Sequence, residues 1–272
     1  RFGQGLLWAV EKEGARASHV FGTFHSADPQ ILALQPPVIA AFEQASTVAL
    51  ELVLDDSMRL SLARAMILPP GRGLKDMVSP ALFSDVAAAA AAYGLNATQV
   101  DRFKPWAMAL LFSLPPEEQA RQAAGQLALD TWLQREAQVR GKSVVGLETI
   151  EEQIAMFDEL APDAQRVFLE AAAADQKNAS RTFEKTKQAY LRQDLNAIAA
   201  LSLQDLSGVE AELRRVLEER IFLVRNRRMA ARMIGLLDRG GAFVGVGALH
   251  LPGDQGVLAI LEQRGYRIRR VD

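Results

Sequence analysis

The chain contains no cysteine and only three histidines, and both scarcities limit its chemistry. Without cysteine it can form neither disulfides nor thiol nucleophiles, and it cannot ligate zinc or iron–sulfur clusters through thiolates. No run of about 18 apolar residues is present, so the sequence predicts no membrane-spanning helix. It also lacks HExxH, GxSxG and Walker A segments, which excludes the commonest sequence signatures of hydrolases.

Charge and composition limit the kinds of partner. Acidic and basic residues are interspersed and the net charge is −2, so the sequence gives no sign of a nucleic-acid partner. With 49% hydrophobic residues the chain can build a large core, but no pattern predicts its oligomeric state. Because the chain begins at Arg1 rather than Met, we expect a product trimmed of an export signal. The expected location is therefore periplasmic or secreted, with the cytoplasm as the alternative.

Strand-like segments lie near both ends of the chain, and helical segments fill the middle. Short apolar stretches on both sides of Lys12-Glu13-Gly14 predict a β-hairpin. Further strands are predicted from nearly continuous apolar runs at 47–54, 142–147 and 242–246 and from alternation at 266–271. Long helices are predicted at 35–44, 130–140, 163–178 and 206–239, and a capping box at 149–152 starts another. This succession predicts an α/β core with a large helical insertion.

Four polar residues fall at the ends of predicted strands. His25 follows one strand, Glu51 lies in the last part of the strand 47–54, and Glu148 and His250 follow two others. Both histidines end a GxxH segment, Gly22-Thr23-Phe24-His25 and Gly247-Ala248-Leu249-His250, in which glycine permits a sharp turn or a close approach. Because ligands bind beyond the carboxyl ends of parallel strands, we expect the four side chains to converge on one rim of the sheet.

Two imidazoles and two carboxylates can hold a divalent cation that activates water and polarises a carbonyl group. Each residue also has a structural interpretation. A histidine after a strand can be a satisfied structural residue, and Glu51 can be an exposed acid on an edge strand. Glu148 can simply favour the N-terminus of the helix that follows it. We interpret His25, Glu51, Glu148 and His250 together as one polar functional site.

A fifth candidate comes from helical spacing. Arg225 stands in a stripe of apolar residues spaced four apart, from Leu213 to Leu237, and thus interrupts an apolar helix face. A buried guanidinium requires an anion, either a carboxylate of the site or the developing oxyanion of a substrate. The alternative is a structural ion pair or a side chain that reaches solvent. Asn226, next to it, is a weaker candidate.

Several segments together resemble the TraB/GumN family, which includes TIKI-like proteases. The matching segments occur in the family's order over nearly the whole chain. They are Leu7-Trp8, the stretch 20–28 (VFGTFHSAD), Ala49-Leu50-Glu51, Leu129-Asp130, the stretch 146–153, Arg225-Asn226 with Met229-Ala230, and the stretch 245–253 (GVGALHLPG).

This resemblance implies a fold like that of erythromycin esterase and the haem-binding ChaN proteins. The expected fold class is α/β, with a central mixed, mostly parallel sheet flanked by helices. The expected organisation is a single domain over 1–272, with helical insertions at about 56–141 and 150–240. The resemblance also implies metal-dependent protease activity, with manganese or cobalt most expected and zinc possible as the divalent metal. Carried over to this chain, it assigns His25, Glu51 and His250 as metal or catalytic residues, with Glu148, Arg225 and Asn226 as further site positions.

The leading hypothesis is therefore a metal-dependent hydrolase that cleaves peptide bonds, in which Arg225 stabilises negative charge. A second hypothesis keeps hydrolysis of a peptide or small molecule without metal and uses His25 as the general base. A third is a haem-binding protein in which the histidines are axial ligands or pocket walls. A fourth is a catalytically inert protein that sequesters a peptide.

Overall fold

A mixed six-stranded sheet forms the centre of the protein in its computed structural model, which describes residues 1–205 and 210–271. The strands are β1 (Leu7–Glu11), β2 (Ser18–Thr23), β3 (Thr47–Leu50), β4 (Ser143–Gly146), β5 (Ala242–Gly247) and β6 (Arg267–Arg270). Their order is β4-β3-β5-β2-β1-β6. Neighbours from β4 to β2 pair in parallel, whereas β1 pairs antiparallel with both β2 and β6. The predicted fold class, an α/β protein with a mostly parallel central sheet, is confirmed.

Two predicted strands are shorter or more exposed than expected. The predicted strand 47–54 ends at Leu50, where its pairing with β4 and β5 ends, although the Glu148 amide still donates to the Glu51 carbonyl oxygen. Beyond it, the side chain of Gln134 accepts from the Leu54 amide and donates to the Leu54 carbonyl, which satisfies that backbone without a sheet. Strand β4 is half-exposed rather than buried on both faces, since it lies at the edge of the sheet.

Helices surround the sheet and fill the segments between strands. After β2 come α1 (Pro29–Leu32) and α2 (Pro36–Gln44). Between β3 and β4 come α3 (Asp56–Ala65), α4 (Pro80–Ala90), α5 (Ala97–Val100), α6 (Pro105–Phe112), α7 (Pro116–Ala123) and α8 (Leu129–Val139). Between β4 and β5 come α9 (Ile150–Asp158), α10 (Pro162–Asp175), α11 (Ala179–Leu191), α12 (Leu195–Asp205), α13 (Ala211–Glu218) and α14 (Val224–Arg239). Helix α15 (Val257–Gln263) precedes β6. In the part of the chain that the structure describes, no helix has the length and apolar character needed to cross a bilayer.

The central strands are buried because helices pack against the sheet. Phe243 of β5 is fully buried and meets the ring of Phe42 from α2 edge to face, with ring centroids 5.4 Å apart. Met229 and Met233 of α14 belong to the same hydrophobic core. Full burial of adjacent strand residues is typical of parallel sheets, whose faces are covered by the connecting helices. This core holds the strand ends in place.

The long helix predicted over 206–239 is not one continuous α-helix. Residues 206–209 lie outside the described residues, and α13 is joined to α14 by a π-helical turn at Glu219–Leu223. Residues spaced four apart move gradually around an α-helix, because one turn holds fewer than four residues. A π turn holds more residues per turn and so rotates less per residue, which offsets this movement. Leu217 before the turn and Arg225, Met229 and Met233 after it are therefore all buried. The predicted apolar face, interrupted by Arg225, is confirmed.

Candidate functional site

The four polar residues predicted at strand ends lie along the carboxyl edge of the parallel strands. The last rungs of β2 and β5 pair Gly22 with Val246 and Thr23 with Gly247, so the two GxxH segments begin side by side. Glu51 directly follows β3, and Glu148 follows β4 by one further residue. The parallel strand directions that the sequence interpretation required are present, and they bring both GxxH segments to one edge of the sheet.

The glycines of the two segments permit close packing rather than an unusual backbone turn. A Cβ atom on Gly22 would lie 2.9 Å from Leu251 and 3.2 Å from the Ala248 backbone in the second segment. A Cβ atom on Gly247 would lie 3.2 Å from the Glu51 carboxylate, to which the Gly247 amide donates a 2.6 Å hydrogen bond. Neither glycine has a positive φ. Of the two predicted reasons for glycine, close approach is the one that applies.

Arg225 gathers three of the predicted residues into one buried cluster. Its Nη2 atom donates to both Glu51 and Glu148 at 2.6 Å, and its Nε atom donates to Glu148 at 2.9 Å. Its Nη1 atom lies 3.2 Å from Nε2 of His250. The Glu148 side chain is completely buried, and that of Arg225 is 9% exposed. Such charges are tolerated in the interior because they are paired and hydrogen-bonded.

The ring of His250 is fixed from both sides. The Nδ2 atom of Asn226 donates to the carbonyl oxygen of Gln255, so the Oδ1 atom of Asn226 faces His250 and accepts from Nδ1 at 2.6 Å. This leaves Nε2 as the acceptor for Arg225. Burial of the imidazole lowers the pKa of His250 to about 4, and the Arg225 charge acts in the same direction. His250 is consequently neutral at physiological pH.

The pKa of Glu51 depends on its neighbours in the cluster. Burial raises it, but the Arg225 guanidinium and the Gly247 amide together hold it below its usual value. Arg225 is thus shared between two carboxylates. The structure pairs Arg225 with site carboxylates, the first of the two anions considered for it, and its role in stabilising negative charge on a substrate stays a prediction.

Glu148 contacts more side chains than expected for an acidic residue that only precedes a helix. Gln153 of α9 donates to it at 3.2 Å, and Arg228 of α14 lies 3.5 Å from it. Arg228 is therefore also part of the ion network, with a side chain 30% exposed. The predicted capping box is formed by Thr149 and Glu152, so Glu148 is free to serve the cluster.

His25 lies apart from the Arg225 cluster and has its own carboxylate. Its Nδ1 atom lies 3.3 Å from Oδ2 of Asp130, at the start of α8, and the hydroxyl of Thr23 donates to Oδ1 of Asp130 at 2.5 Å. Surrounding protein lowers the pKa of His25, but the Asp130 hydrogen bond and the charges of Asp130, Glu51 and Glu118 outweigh this and raise it above the usual value. The ring is 60% exposed, so Nε2 is accessible to a substrate.

Asp130 and Thr23 were absent from the predicted site residues. Asp130 stands in the first turn of a helix, where an acidic residue is explained by the helix dipole alone. Thr23 is one of the two variable positions in the first GxxH segment, to which the motif assigns no role. The Leu129-Asp130 segment within the family resemblance was the signal that could have identified the carboxylate.

A cavity of about 500 Å³ opens over these groups. Its floor includes His25, Glu51, Arg225 and His250, and helices α6, α10, α11 and α12 contribute its walls. The walls are largely apolar, with phenylalanines and alanines that include Phe24, Ala109, Phe112, Phe168, Ala172, Phe183 and Phe222. This volume is typical of ligand sites, which combine apolar walls with a few convergent polar groups.

The side chains of His25, Glu51 and His250, the predicted metal ligands, are of types that bind divalent metals. Arg225, however, donates to Glu51 and lies against the Nε2 lone pair of His250, so a cation already engages two of the three predicted ligands. Within residues 1–205 and 210–271, no three His, Asp or Glu side chains form a group that could hold a metal ion. The residues as arranged do not fit a bound metal, and their assignment as ligands stays a prediction.

The fold and site define an α/β protein with a His–Asp pair and a buried arginine–carboxylate cluster at the carboxyl edge of its parallel strands. The chain belongs to the TraB/PrgY/gumN family, whose sequence model matches residues 6–270. The family resemblance identified from the sequence is thereby confirmed.

Curated relatives cover nearly all of the chain. It is 25% identical to Metalloprotease TIKI1 from Danio rerio, over 97% of the chain and 62% of the relative. It is 27% and 26% identical to Metalloprotease TIKI2 from Danio rerio and from Xenopus tropicalis, over 97% of the chain and 60% and 59% of those proteins. The chain thus spans about three fifths of the length of these relatives. No solved structure matches the chain significantly, so the likeness to erythromycin esterase and ChaN stays a prediction.

Proposed function

We propose that this protein hydrolyses peptide bonds in the cavity above the carboxyl edge of the sheet, with His25 as the general base. The observation that carries the proposal is the contact with Asp130 made by His25, which lines an apolar cavity. A carboxylate bonded to Nδ1 holds the imidazole in the tautomer whose Nε2 can accept a proton. Relatives named metalloproteases support the choice of peptide bonds.

The proposed chemistry begins with a water molecule beside Nε2 of His25. His25 removes one proton as the water oxygen attacks the scissile carbonyl carbon, and it later gives that proton to the leaving amine as the C–N bond breaks. Asp130 stabilises the positive charge that the ring carries between these two transfers. The pKa of His25 is raised above its usual value, because the Asp130 hydrogen bond and nearby carboxylate charges outweigh burial, and this favours uptake of the proton from water.

The walls of the cavity support a substrate with apolar side chains. Phe168, Ala172 and Phe183 line it from helices α10 and α11, and Asp175 is the one other acidic side chain of the described lining besides Glu51. An apolar side chain of a peptide loses contact with water when it enters such a cavity, which favours binding. We therefore propose peptides with bulky apolar residues near the cleaved bond. The periplasmic or secreted location expected from the sequence belongs to the same proposal.

Metal-dependent hydrolysis is the second candidate, and two observations favour it. The relatives are named metalloproteases, and the Arg225 cluster brings the two carboxylates of Glu51 and Glu148 together. A manganese, cobalt or zinc ion would be held by His25, Glu51 and His250, and Arg225 would first have to leave Glu51 and His250. Such an ion would supply an activated water.

A peptide-cleavage assay separates these candidates. The purified protein is incubated with a mixture of peptides rich in apolar residues, and the products are identified by mass spectrometry. We expect cleavage by the wild type, loss of at least about 100-fold in rate for His25→Gln, and normal cleavage by the matched control His19→Gln. His19 lies in β2 and takes no part in the site.

The same assay is repeated after treatment with a strong chelator. Activity that survives chelation supports His25 as a metal-independent base. Activity that disappears and returns with manganese, cobalt or zinc supports the second candidate. If no peptide is cleaved under any condition, or if His25→Gln cleaves like the wild type, the proposed function is wrong.

A further inference from the structure

A carboxylate outside the cluster, that of Glu118 on α7, is completely buried. Its Oε1 atom accepts from the Ala27 amide at 2.6 Å, and its Oε2 atom accepts from the Ser26 hydroxyl at 3.1 Å. Arg121, one helical turn later, donates to it at 3.0 Å. Burying a carboxylate is costly unless its oxygens are hydrogen-bonded, and here two of its bonds are to the loop that follows His25.

The backbone around His25 is closed into a tight turn. The Ser26 amide donates to the carbonyl oxygen of Phe24 at 2.7 Å, which makes His25 the central residue of a three-residue turn. The Ser26 hydroxyl also accepts from the Asp28 amide at 2.9 Å, and the Ser26 carbonyl accepts from the Leu129 amide at 3.0 Å. Glu118 therefore secures one side of a turn whose other side is tied to the first turn of α8, where Asp130 lies.

We infer that Glu118 positions His25 for catalysis: its carboxylate fixes the turn at Phe24–Asp28 and so holds the imidazole ring against Asp130. Glu118 touches neither the ring nor the cavity lining, so it is a positioning residue and not a catalytic one. The role follows from the direction of its bonds, because a loop amide and hydroxyl that point inward require an acceptor at this place. The kinetic part of this inference rests on the proposed function.

The same contacts give helix α7 a function. It lies in the long helical segment between β3 and β4, far along the chain from β2. It reaches the His25 loop through the hydrogen bonds of Glu118, and Arg121 lies 4.0 Å from the Asp28 carboxylate. Removing that carboxylate would leave the Ala27 amide and the Ser26 hydroxyl without their partners. The turn would then sample several conformations, and the ring would lose its single orientation.

The test compares Glu118→Ala and Glu118→Gln with a matched control, Gln165→Ala. Gln165 is another buried polar side chain on a helix, but it binds the carbonyl oxygens of Asp158 and Leu160, away from the His25 loop. Gln can still accept from the Ala27 amide, so Glu118→Gln is the conservative variant. Ser26→Ala, which removes the hydroxyl between Glu118 and Asp28, replaces Glu118→Ala if that variant does not fold.

The first readout is structural and independent of any activity. The chain has three histidines, so ¹⁵N-histidine labelling gives few ring signals, and His25→Gln identifies the signal of His25. Above the pKa of the ring we expect the wild type to show a single tautomer with the proton on Nδ1. We expect Glu118→Ala to show averaged tautomers at His25 alone, and Glu118→Gln and Gln165→Ala to resemble the wild type.

The second readout is kinetic, with the apolar peptide mixture as the probe. We expect Glu118→Ala to lower kcat roughly 10- to 100-fold with KM nearly unchanged, because small displacements of a reacting group have effects of that size. Glu118→Gln should recover most of the loss. If the His25 signal of Glu118→Ala, or of Ser26→Ala in its place, matches that of Gln165→Ala at equal loss of stability, Glu118 is only structural and the inference is wrong. An altered His25 signal without any peptide cleavage by the wild type would support the positioning and refute only the proposed function.

Discussion

The Oδ2 atom of Asp130 lies 3.3 Å from Nδ1 of His25, although the two residues come from different elements far apart in the sequence. The contact joins the end of β2 to the beginning of α8. It selects the tautomer of His25 in which Nε2 is an acceptor, and it leaves that atom facing the cavity. Asp130 thereby turns an exposed histidine into a candidate base.

Asp130→Asn should reduce turnover while leaving the fold intact. Asparagine keeps the size of the side chain but can stabilise the wrong tautomer of His25 and carries no charge. We expect kcat to fall on the order of 10²- to 10⁴-fold, the usual contribution of general-base catalysis, with little change in KM. Steady-state kinetics on a cleaved peptide provide the measurement. The control is Asp163→Asn at the exposed start of α10, which should keep normal activity; equal rates for the two variants would contradict the assigned role.

Arg225→Met should destabilise the protein strongly. It leaves the carboxylates of Glu51 and Glu148 without their cation, and the Glu148 side chain is fully buried. We expect the free energy of unfolding to fall by about 3–5 kcal/mol, as is typical when one partner of a buried ion pair is removed. Urea denaturation at neutral pH gives this value.

The matched control for Arg225→Met is Arg215→Met on α13. Arg215 pairs with Glu212, and both side chains are largely exposed. We expect a much smaller loss of stability there, because water screens such exposed pairs. Similar losses for the two variants would mean that the buried cluster contributes no more than a surface ion pair.

The stability of the protein should fall between pH 6.5 and about pH 4 through His250. The pKa of His250 is lowered from 6.5 to about 4 in the folded protein, so only the unfolded chain takes up the proton in this range. Acidification therefore favours unfolding, by roughly 3 kcal/mol over the whole interval. The groups that face His250 are Arg225, Glu51 and Glu148, and Arg225 opposes the protonated ring.

The pH effect is measured by urea denaturation of the wild type and of His250→Gln at several pH values. We expect the variant to be less stable than the wild type at pH 7.5 and to lose less additional stability on acidification. Parallel curves for the two proteins would show that His250 is not the responsible group. Gln165→Ala serves as the control variant, since it removes a buried polar side chain that does not titrate and lies outside the cluster.

Ala172→Phe should narrow the range of substrates. Ala172 lines the cavity from α10, so a phenylalanine ring there occupies space that a bulky substrate side chain would use. We expect kcat/KM for peptides with large apolar residues to fall at least about 10-fold, with a smaller effect on peptides with alanine at that position. Competition assays with paired peptides measure the ratio. Ala174→Phe on the exposed side of the same helix should leave the ratio unchanged, and a uniform loss for all peptides would argue against a specificity role.

Much of the fold could be predicted because local patterns dominate it. The hairpin, the buried strands and the capping box at Thr149 follow from turn residues, apolar runs and the spacing of polar caps, and all of them are present. The errors arose where the outcome depended on neighbours. The strand beginning at Thr47 stops at Leu50, where its pairing with both β4 and β5 ends, and β4 is half-exposed because it lies at the edge of the sheet.

The sequence alone determined which residue types could form a site and that they stand at strand ends. His25, Glu51, Glu148 and His250 were predicted at strand ends, and Arg225 was predicted in an apolar helix face. These predictions were possible because the periodicity of strands and helices depends on residues close together in the sequence. Only the tertiary structure decided their partners. In the folded protein Arg225 pairs with the two glutamates, and Asn226 hydrogen-bonds to His250. Asp130 contacts His25, and Glu118 binds the loop that follows His25. These pairings join helices to strands that are distant in the chain. The free energy that selects them comes from burying and pairing charges, and a local sequence pattern cannot predict it.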